Sequence, residues 1–176
     1  MSQETYNQEC KRAMEELARN PRVIFLGQTV AFPGSRMFEA FKDIPLEKRI
    51  ELPLIEDAQM GISIGLSLQG YIPVSVYPRM DFLLCSTNQL VNHLNCCEEM
   101  SNGEWKPKVI IRTGIGSTKP LYPGIQHCSD YTEGLRALCK NINVARLERT
   151  SQILLEYQKA LCSKKSTILI EVPQYE

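Results

Sequence analysis

Five short apolar runs, each rich in β-branched residues and bounded by Gly, Pro or Asn, alternate along this chain with segments of helix length. The runs are VIFLG (23–27), IPVSVYP (72–78), KVIIRTG (108–114), NVARLE (143–148) and TILIEVP (167–173). Several are apolar at consecutive positions, as strands covered on both faces are. The predicted helices are 3–19, 57–69, 81–100, 130–140 and 150–163. The alternation predicts a doubly wound α/β fold, in which helices sandwich a mostly parallel sheet and the crossovers are right-handed.

Length, charge and cysteine usage narrow the class of protein. A chain of 176 residues fits a single domain, here 1–176, with a sizeable core. Twenty basic residues balance twenty acidic ones, so the basic footprint that follows a nucleic-acid backbone is missing and we expect no nucleic-acid partner. Seven cysteines without a C-x-x-C pair predict neither a disulfide framework nor a zinc site. They indicate a reducing compartment, which we take to be the cytoplasm.

No segment reads as a membrane span or a secretory signal. The longest uncharged run, residues 58–78, is interrupted by glycines, prolines, glutamines and serines, which a membrane-spanning helix would not carry in this number. The N-terminal stretch MSQETYNQECKRAMEELARN carries charges throughout and lacks the apolar region of a signal peptide. We therefore expect neither membrane association nor secretion.

The stretch ISIGLSLQ, residues 62–69, is ambiguous because its apolar residues alternate at period two, which by itself predicts a strand. We predict a helix, since the segment from residue 56 to 69 is long for a strand and contains no turn signal before Gly70. Small or polar residues recur on it at spacings of three and four, at Ala58, Gly61, Gly65 and Gln69. Such a stripe lets another backbone approach closely, and the neighbour could be a sheet, a ligand or a second chain.

Two carboxylates, Glu56 and Asp57, directly follow the apolar stretch LPLI. The simplest interpretation is a helix start, because acidic residues in a first turn meet unpaired N–H groups and the positive end of the helix dipole. That interpretation accounts for Asp57. An apolar surround disfavours an ionised carboxylate, so Glu56 needs a further reason to stand there.

The order of the motifs resembles the N-terminal domain of the beta subunits of 2-oxo acid dehydrogenases of the pyruvate dehydrogenase type. The motifs are VIFLGQTV, LPLIEDAQMGISIGLSLQGYIPVSVY, MDFLLCSTNQLVNHLNCCEEMSNG, KVIIRTGIG and GIQHCSD, and the similarity runs from about Arg22 to the end of the chain. These enzymes use thiamine diphosphate, and the domain is their pyrimidine-binding domain, shared more distantly with transketolases. The resemblance therefore implies thiamine diphosphate as cofactor.

The resemblance also implies roles for individual residues. Glu56 matches the family's glutamate that bonds the ring nitrogen of the cofactor's aminopyrimidine and shifts the ring towards the imino tautomer, which can take the thiazolium proton. Phe82 matches an aromatic residue that packs on the aminopyrimidine, and Leu54 matches a residue lining the same pocket. His127 matches the active-site histidine on the substrate side. As bare sequence, Phe82 and Leu54 are equally well core residues, and a lone loop histidine such as His127 is often an ordinary surface residue.

Two departures from the family pattern bear on activity. Gln28 and Thr29 stand where the family has an acidic residue after the strand-ending glycine. We still count Gln28 among the cofactor-binding residues, since it can donate a hydrogen bond although it cannot ionise. The G-D-G motif with a later Asn, which holds Mg²⁺ and the diphosphate in the family, is absent from the sequence. The resemblance therefore implies that a separate, alpha-subunit-like chain holds Mg²⁺ and the diphosphate, and that this chain has no metal site of its own.

We expect a pyrimidine-binding subunit of a split thiamine diphosphate-dependent enzyme that acts on a 2-oxo acid or a ketose. It would be inactive alone and would assemble as a homodimer or a heterotetramer. The alternative is a non-catalytic assembly or regulatory module, which Gln28 favours and Glu56, Phe82 and His127 disfavour. A third interpretation, a stand-alone domain that encloses another small ligand, ranks last because no G-x-G-x-x-G loop is present. Oxidative transfer, simple decarboxylation and ketol transfer all remain open.

Overall fold

The computed structural model describes residues 3–119 and 121–172, in which six strands form one sheet. In chain order the strands are β1 Val23–Gly27, β2 Arg49–Glu51, β3 Ile72–Val76, β4 Ile110–Gly114, β5 Asn143–Leu147 and β6 Thr167–Glu171. Their order across the sheet is β2-β1-β3-β4-β6-β5, and all neighbouring pairs are parallel. The predicted α/β fold with a mostly parallel sheet is confirmed.

Helices cover both faces of this sheet. They are α1 Gln3–Ala18, α2 Glu56–Leu68, α3 Met80–Leu83, α4 Cys97–Met100, α5 Thr132–Leu138 and α6 Thr150–Cys162. One buried cluster joins α1 and α6 to the sheet, and a second joins α2, α3 and α5 to the opposite face. Consecutive strand residues divide between the two clusters, since Ile110 lies in the first and Ile111 in the second. This double cover explains why the strands are apolar at consecutive positions.

The prediction of a helix for residues 57–69 is correct despite the period-two pattern. Within α2 the buried residues are Gln59, Met60 and Ser63, which follow helical spacing and face the sheet side. Gln59 Nε2 donates to Ser75 Oγ and to the Val76 carbonyl, both at 3.0 Å, and so ties the helix to β3. The apolar residues that alternate at period two are not the buried residues of α2, so their alternation does not predict the secondary structure of this segment.

Residues 81–100 do not form the single helix that the sequence predicts. The chain there runs through α3, a 3-10 turn at Leu84–Ser86, a π-helix at Asn88–Leu94 and α4. Ser86 and Thr87 donate their hydroxyls to the carbonyls of Leu83 and Leu84, at 2.8 and 2.6 Å. Side-chain bonds of this kind compete with the regular backbone ladder, which explains the change of helical pitch at this point.

The sequence also fails to predict β2, and it sets some boundaries too far out. β2 is three residues long, contains one apolar residue and pairs with β1 alone at the sheet edge, so it leaves no periodic pattern. The predicted strand 167–173 is observed as β6 and ends at Glu171, while position 173 lies outside the described residues. In the part of the chain that the structure describes, no helix is both long enough and apolar enough to cross a membrane.

A buried ion pair joins the neighbouring strands β4 and β6. Arg112 donates from Nε and Nη2 to the two carboxylate oxygens of Glu171, at 2.8 and 3.2 Å, and Tyr157 donates to the same carboxylate at 2.8 Å. Burial opposes the positive charge of Arg112, but the facing Glu171 raises the pKa of this guanidinium above its ordinary value. Burial and Glu171 also raise the pKa of Tyr157, which remains a neutral donor. The two charges compensate one another in the interior, although Arg112 Nη1 has no hydrogen-bond partner among the described residues.

Candidate active site

The predicted site residues lie at the carboxyl ends of the strands. Gln28 directly follows β1, Glu56 is the first residue of α2, Phe82 lies in α3 after β3, and His127 ends a 3-10 turn, Ile125–His127, in the connection that follows β4. In open α/β sheets ligands bind at this edge, because successive strands deliver their following loops to one crevice. The topology therefore supports a site here before any side-chain contact is considered.

Gln28 and Glu56 form a direct contact. Gln28 Nε2 donates to Glu56 Oε1 at 3.1 Å, and the Gln28 side chain is buried while Glu56 is half-buried. The preceding Gly27 has φ +139°, and a Cβ there would lie 2.3 Å from the Val76 carbonyl oxygen, so only glycine lets the chain leave β1 this close to β3. Among the described residues, Glu56 Oε2 has no hydrogen-bond partner. One oxygen of the carboxylate is thus fixed and the other is available to a ligand.

Tyr77 stabilises the first turn of α2. Its hydroxyl donates to the backbone carbonyl of Glu56 at 3.3 Å, and its side chain is fully buried after β3. Burial raises the pKa of Tyr77 to about 12, with smaller raising contributions from the carboxylates of Glu56 and Asp57. The phenol therefore stays protonated at neutral pH and keeps donating to the first turn of α2.

Glu51, which the sequence did not single out, organises the loop that carries Gln28. Its carboxylate accepts hydrogen bonds from four consecutive backbone N–H groups, those of Thr29, Val30, Ala31 and Phe32, at 2.6 to 3.3 Å. Thr29 has φ +58°, a conformation that non-glycine residues seldom adopt and that this set of bonds maintains. The only signal that could have identified Glu51 was its place at the end of β2, and β2 itself has no sequence pattern.

Phe82 and His127 form the second contact of the site. Their ring centroids lie 5.4 Å apart and the rings meet edge to face at 87°. Gly116 lies beneath the His127 turn, since a Cβ on Gly116 would be 1.9 Å from the His127 carbonyl oxygen. Gly116 is a second residue that sequence reasoning missed, and its role becomes visible only from the packing of the two loops.

The remaining predicted residue, Leu54, is 75% exposed in this chain. The described residues therefore do not enclose it, and its role in lining a cofactor pocket stays a prediction. The same edge of the sheet carries other exposed apolar side chains, namely Phe32, Ile55, Leu84, Leu121, Tyr122 and Ile125. Such a concentration of apolar surface is typical of a contact region.

A cleft of about 410 Å³ lies beside Phe82 and is also lined by Asp81, Leu84, Ile125 and Tyr131. Glu56 and Gln28 do not line it. Within residues 3–119 and 121–172, no group of three or more His, Cys, Asp or Glu side chains could hold a metal ion. The chain on its own thus presents an acid with its amide partner, an aromatic–imidazole pair and an open apolar rim.

Known proteins resemble this chain in fold and in sequence. No protein-family model matches the chain. The fold matches that of a solved split gene transketolase, described as an inactive beta4 tetramer, with a TM-score of 0.74 and 19% identity, over 96% of this chain and 51% of the other. The molecule therefore has a transketolase-like α/β fold.

Several curated proteins are similar to this chain in sequence as well. The beta subunit of 3-methyl-2-oxobutanoate dehydrogenase from Mycobacterium tuberculosis is 32% identical over 136 residues, which cover 73% of this chain and 37% of that protein. The beta subunit of 2-oxoisovalerate dehydrogenase from Bacillus subtilis is 29% identical over 106 residues, covering 58% and 32%. The beta subunit of the pyruvate dehydrogenase E1 component from Chaetosphaeridium globosum is 25% identical over 186 aligned positions, covering 88% and 56%.

The resemblance found in the sequence is thereby confirmed. The chain is similar in sequence to the beta subunits of 2-oxo acid dehydrogenases and has a transketolase-like fold. It spans about a third to just over half of the length of the curated relatives that it matches.

Proposed function

We propose that this chain is the pyrimidine-binding subunit of a split thiamine diphosphate-dependent enzyme. Its substrate is a 2-oxo acid or, as the second alternative, a ketose. The observation that carries the proposal is the contact between Gln28 and Glu56 at the carboxyl ends of β1 and β2. It fixes one oxygen of a half-buried carboxylate and leaves the other available. That is the arrangement a protein needs to present an acid to a ring nitrogen.

The residues present fit the pyrimidine half of the cofactor. Bound thiamine diphosphate would supply an electron sink for cleavage of the bond next to the substrate carbonyl. In our proposal Glu56 holds a proton at Oε2 towards the aminopyrimidine, and Gln28 orients Glu56 without exchanging a proton itself. Phe82 offers an aromatic face to the ring, and His127, in edge contact with Phe82, lies on the substrate side. Tyr77 holds the backbone of Glu56 in place.

A separate alpha-subunit-like chain would complete the site and hold Mg²⁺ and the diphosphate. The exposed apolar residues at the carboxyl edge, including Leu54 and Ile125, support docking of such a chain. We propose a homodimer or a heterotetramer as the assembled state, and an isolated chain that is inactive. We further propose the cytoplasm as the compartment, in agreement with seven cysteines that are all free thiols.

The test of this function is Glu56→Gln in the complex reconstituted with the diphosphate-binding chain. We expect turnover to fall by about 10²- to 10⁴-fold, because that is the usual contribution of a positioned acid or base. The matched control is Asp57→Asn, which removes an exposed carboxylate from the next position of the same first turn and should leave turnover near that of the wild type. Full turnover in Glu56→Gln would refute the proposed function.

A second candidate, a non-catalytic assembly or regulatory module, is favoured by one observation: the amide of Gln28 occupies the place of the family's acid beside Glu56. The structural relative described as an inactive beta4 tetramer is compatible with it. Calorimetry with this chain and its partner separates the two candidates. Mg²⁺-dependent binding of thiamine diphosphate that requires both chains supports the enzyme, and the absence of binding supports the module.

A further inference from the structure

The residues on both sides of Gln28 have unusual backbone conformations. Gly27 has φ +139° and Thr29 has φ +58°, both in the range that favours glycine. Thr29 is strained there, because its side chain is branched at Cβ, and such a residue persists only where its surroundings impose the conformation. Gln28, which donates to Glu56, is therefore held between two constrained neighbours.

Contacts from two directions impose the conformation of Thr29. On one side the Glu51 carboxylate of β2 accepts from the N–H of Thr29 at 2.6 Å and from the next three N–H groups at 2.7 to 3.3 Å. Arg49, also on β2, donates from Nη1 to the carbonyl of the fully buried Val30 at 3.2 Å. On the other side the hydroxyls of Thr29 and Ser35 are hydrogen-bonded at 2.6 Å.

Gly34 lies against the Thr29 side chain and leaves it no room to move. A Cβ at Gly34 would be 2.7 Å from Thr29 Cγ2 and 3.8 Å from Thr29 Cβ, and it would meet no other heavy atom within 4 Å among the described residues. Thr29 cannot turn aside freely, because Oγ1 is bonded to Ser35. A substitution at position 34 therefore acts on Thr29, and through the shared peptide bond on Gln28.

We propose that Glu51 is a positioning residue for the reaction, and that it acts through the strained conformation of Thr29 to hold the Gln28 amide on Glu56. The inference rests on the function proposed for Glu56. Among the described residues, every hydrogen bond of the Glu51 carboxylate goes to the backbone of the loop that follows Gln28, and none goes to Glu56. Without Glu51 the loop relaxes, and Gln28 Nε2 loses its 3.1 Å contact with Glu56 Oε1.

The kinetic test compares Glu51→Gln and Gly34→Ala in the complex reconstituted with the diphosphate-binding chain. Each should lower kcat about 10- to 100-fold and change KM less than about twofold, because a displaced acid slows the chemical step without removing a substrate contact. The control is Glu47→Gln, which removes an exposed carboxylate just before β2 and should keep wild-type kinetics.

Thr29→Gly tests whether the effect passes through the strained residue. A glycine adopts positive φ without strain and lacks the atoms that a Cβ at Gly34 would meet. In the Thr29→Gly background, Gly34→Ala should therefore have no effect. The loss of kcat from Glu51→Gln should be about tenfold smaller than in the Thr29 background.

NMR of the full chain follows the Gln28 side-chain amide without requiring turnover. In Glu51→Gln and in Gly34→Ala its two proton signals should move towards their positions in Glu56→Ala, which removes the acceptor. Addition of Thr29→Gly should reverse these changes. Unmoved Gln28 signals in the folded variants overturn the inference. If Glu51→Gln does not fold, Gly34→Ala, which changes no charge, decides the case.

Glu56→Gln separates this inference from the proposed function. Full turnover in Glu56→Gln refutes the proposed function and the positioning role with it. A large loss in Glu56→Gln together with wild-type kcat in folded Glu51→Gln refutes the positioning role alone. A loss of kcat in Glu51→Gln that Thr29→Gly does not reduce, or that comes with an equal rise in KM, also refutes it.

Discussion

At the level of single residues, the site is held together by groups that are not themselves reactive. Gln28 fixes one oxygen of Glu56, Tyr77 fixes the Glu56 backbone, and Glu51 fixes the loop on which Gln28 stands. Each contact spans at least 21 residues of sequence, so each depends on the sheet being formed. The carboxylate of Glu56 therefore keeps its orientation because the neighbouring loops are fixed, and the catalytic role that we propose for it would require this rigidity.

Tyr77 gives this arrangement a measurable pH dependence. An ordinary tyrosine has a pKa of about 10, and burial raises that of Tyr77 to about 12 in the folded chain. Between these two values the unfolded chain loses the proton while the folded chain keeps it. The contribution of Tyr77 to the free energy of unfolding is therefore fully present below pH 10. Above pH 10 we expect this contribution to fall by about 1.4 kcal/mol per pH unit.

Denaturant unfolding of the wild type and of Tyr77→Phe from pH 8 to pH 11 measures that component. The wild type should lose stability faster than the variant above pH 10, because the variant lacks the titrating group. Below pH 9 the difference between the two proteins should be constant. Parallel curves over the whole range would mean that the phenol ionises as readily in the folded chain as in the unfolded one.

At the level of elements, the sequence predicts the strands and helices that have a regular residue pattern. It does not predict features that a few specific contacts determine. Five strands are predicted because each is a short, largely apolar run bounded by Gly, Pro or Asn, whereas β2 has three residues at an edge and no run at all. The helix over 57–69 was predictable from its length, but the broken pitch over 81–100 follows from hydroxyl bonds of Ser86 and Thr87 that no periodicity records.

The candidate site also has residues that the sequence identifies and contacts that it does not predict. Glu56 attracts attention in the sequence because a carboxylate follows an apolar stretch, and the family resemblance adds Phe82, His127, Leu54 and Gln28. The pairing of Gln28 with Glu56 and of Phe82 with His127 is not predictable from spacing, since 28 residues separate the first pair and the loops alone decide the second. Positions such as Gly116 become meaningful only when two loops are seen in contact.

The loop that carries His127 should be sensitive to a single methyl group. Gly116→Ala places a Cβ 1.9 Å from the His127 carbonyl oxygen, so the loop must move. We expect a loss of about 1 to 3 kcal/mol in the free energy of unfolding, as for other overpacked sites, and loss of the Phe82–His127 ring contact. Denaturant unfolding and the NMR signals of the His127 ring measure the two effects.

The matched control for that loop is Gly134→Ala in α5. A Cβ at Gly134 meets nothing within 4 Å, so the variant should gain up to about 1 kcal/mol of stability from helix propensity and leave the His127 signals unchanged. Equal behaviour of the two variants would show that the close approach at Gly116 does not hold in solution.

At the level of the whole molecule, the described surface has two features suited to another chain. One is the apolar carboxyl edge around Leu54 and Ile125, and the other is the exposed face of α2, where Gly65 has no atom within 4 Å of the place of a Cβ. Because exposed apolar surface favours association, we expect the isolated chain to associate with itself or with the proposed partner chain.

Gly65→Leu tests the role of the α2 face. The leucine side chain enters open space in the isolated chain, so the melting temperature should change little. If the α2 face forms an interface, the leucine would occupy the space of the partner, and the affinity should weaken about 10- to 100-fold. Analytical ultracentrifugation over a concentration series measures the association. Gly134→Leu, an equally open helical position on α5, is the control, and equal weakening by both variants would exclude a specific role for α2.

The buried pair of Arg112 and Glu171 has a consequence for how such sequences diversify. The two positions lie 59 residues apart, yet neither can be exchanged alone without stranding an isolated charge in the interior. Joint replacement by two apolar residues of similar volume removes both charges at once, although it takes the acceptor from the Tyr157 hydroxyl, so we expect paired changes to cost less than either change alone. Among descendants of a common ancestor, these two codons should consequently vary together, and a protein that carries one of them without the other should contain a compensating charge nearby.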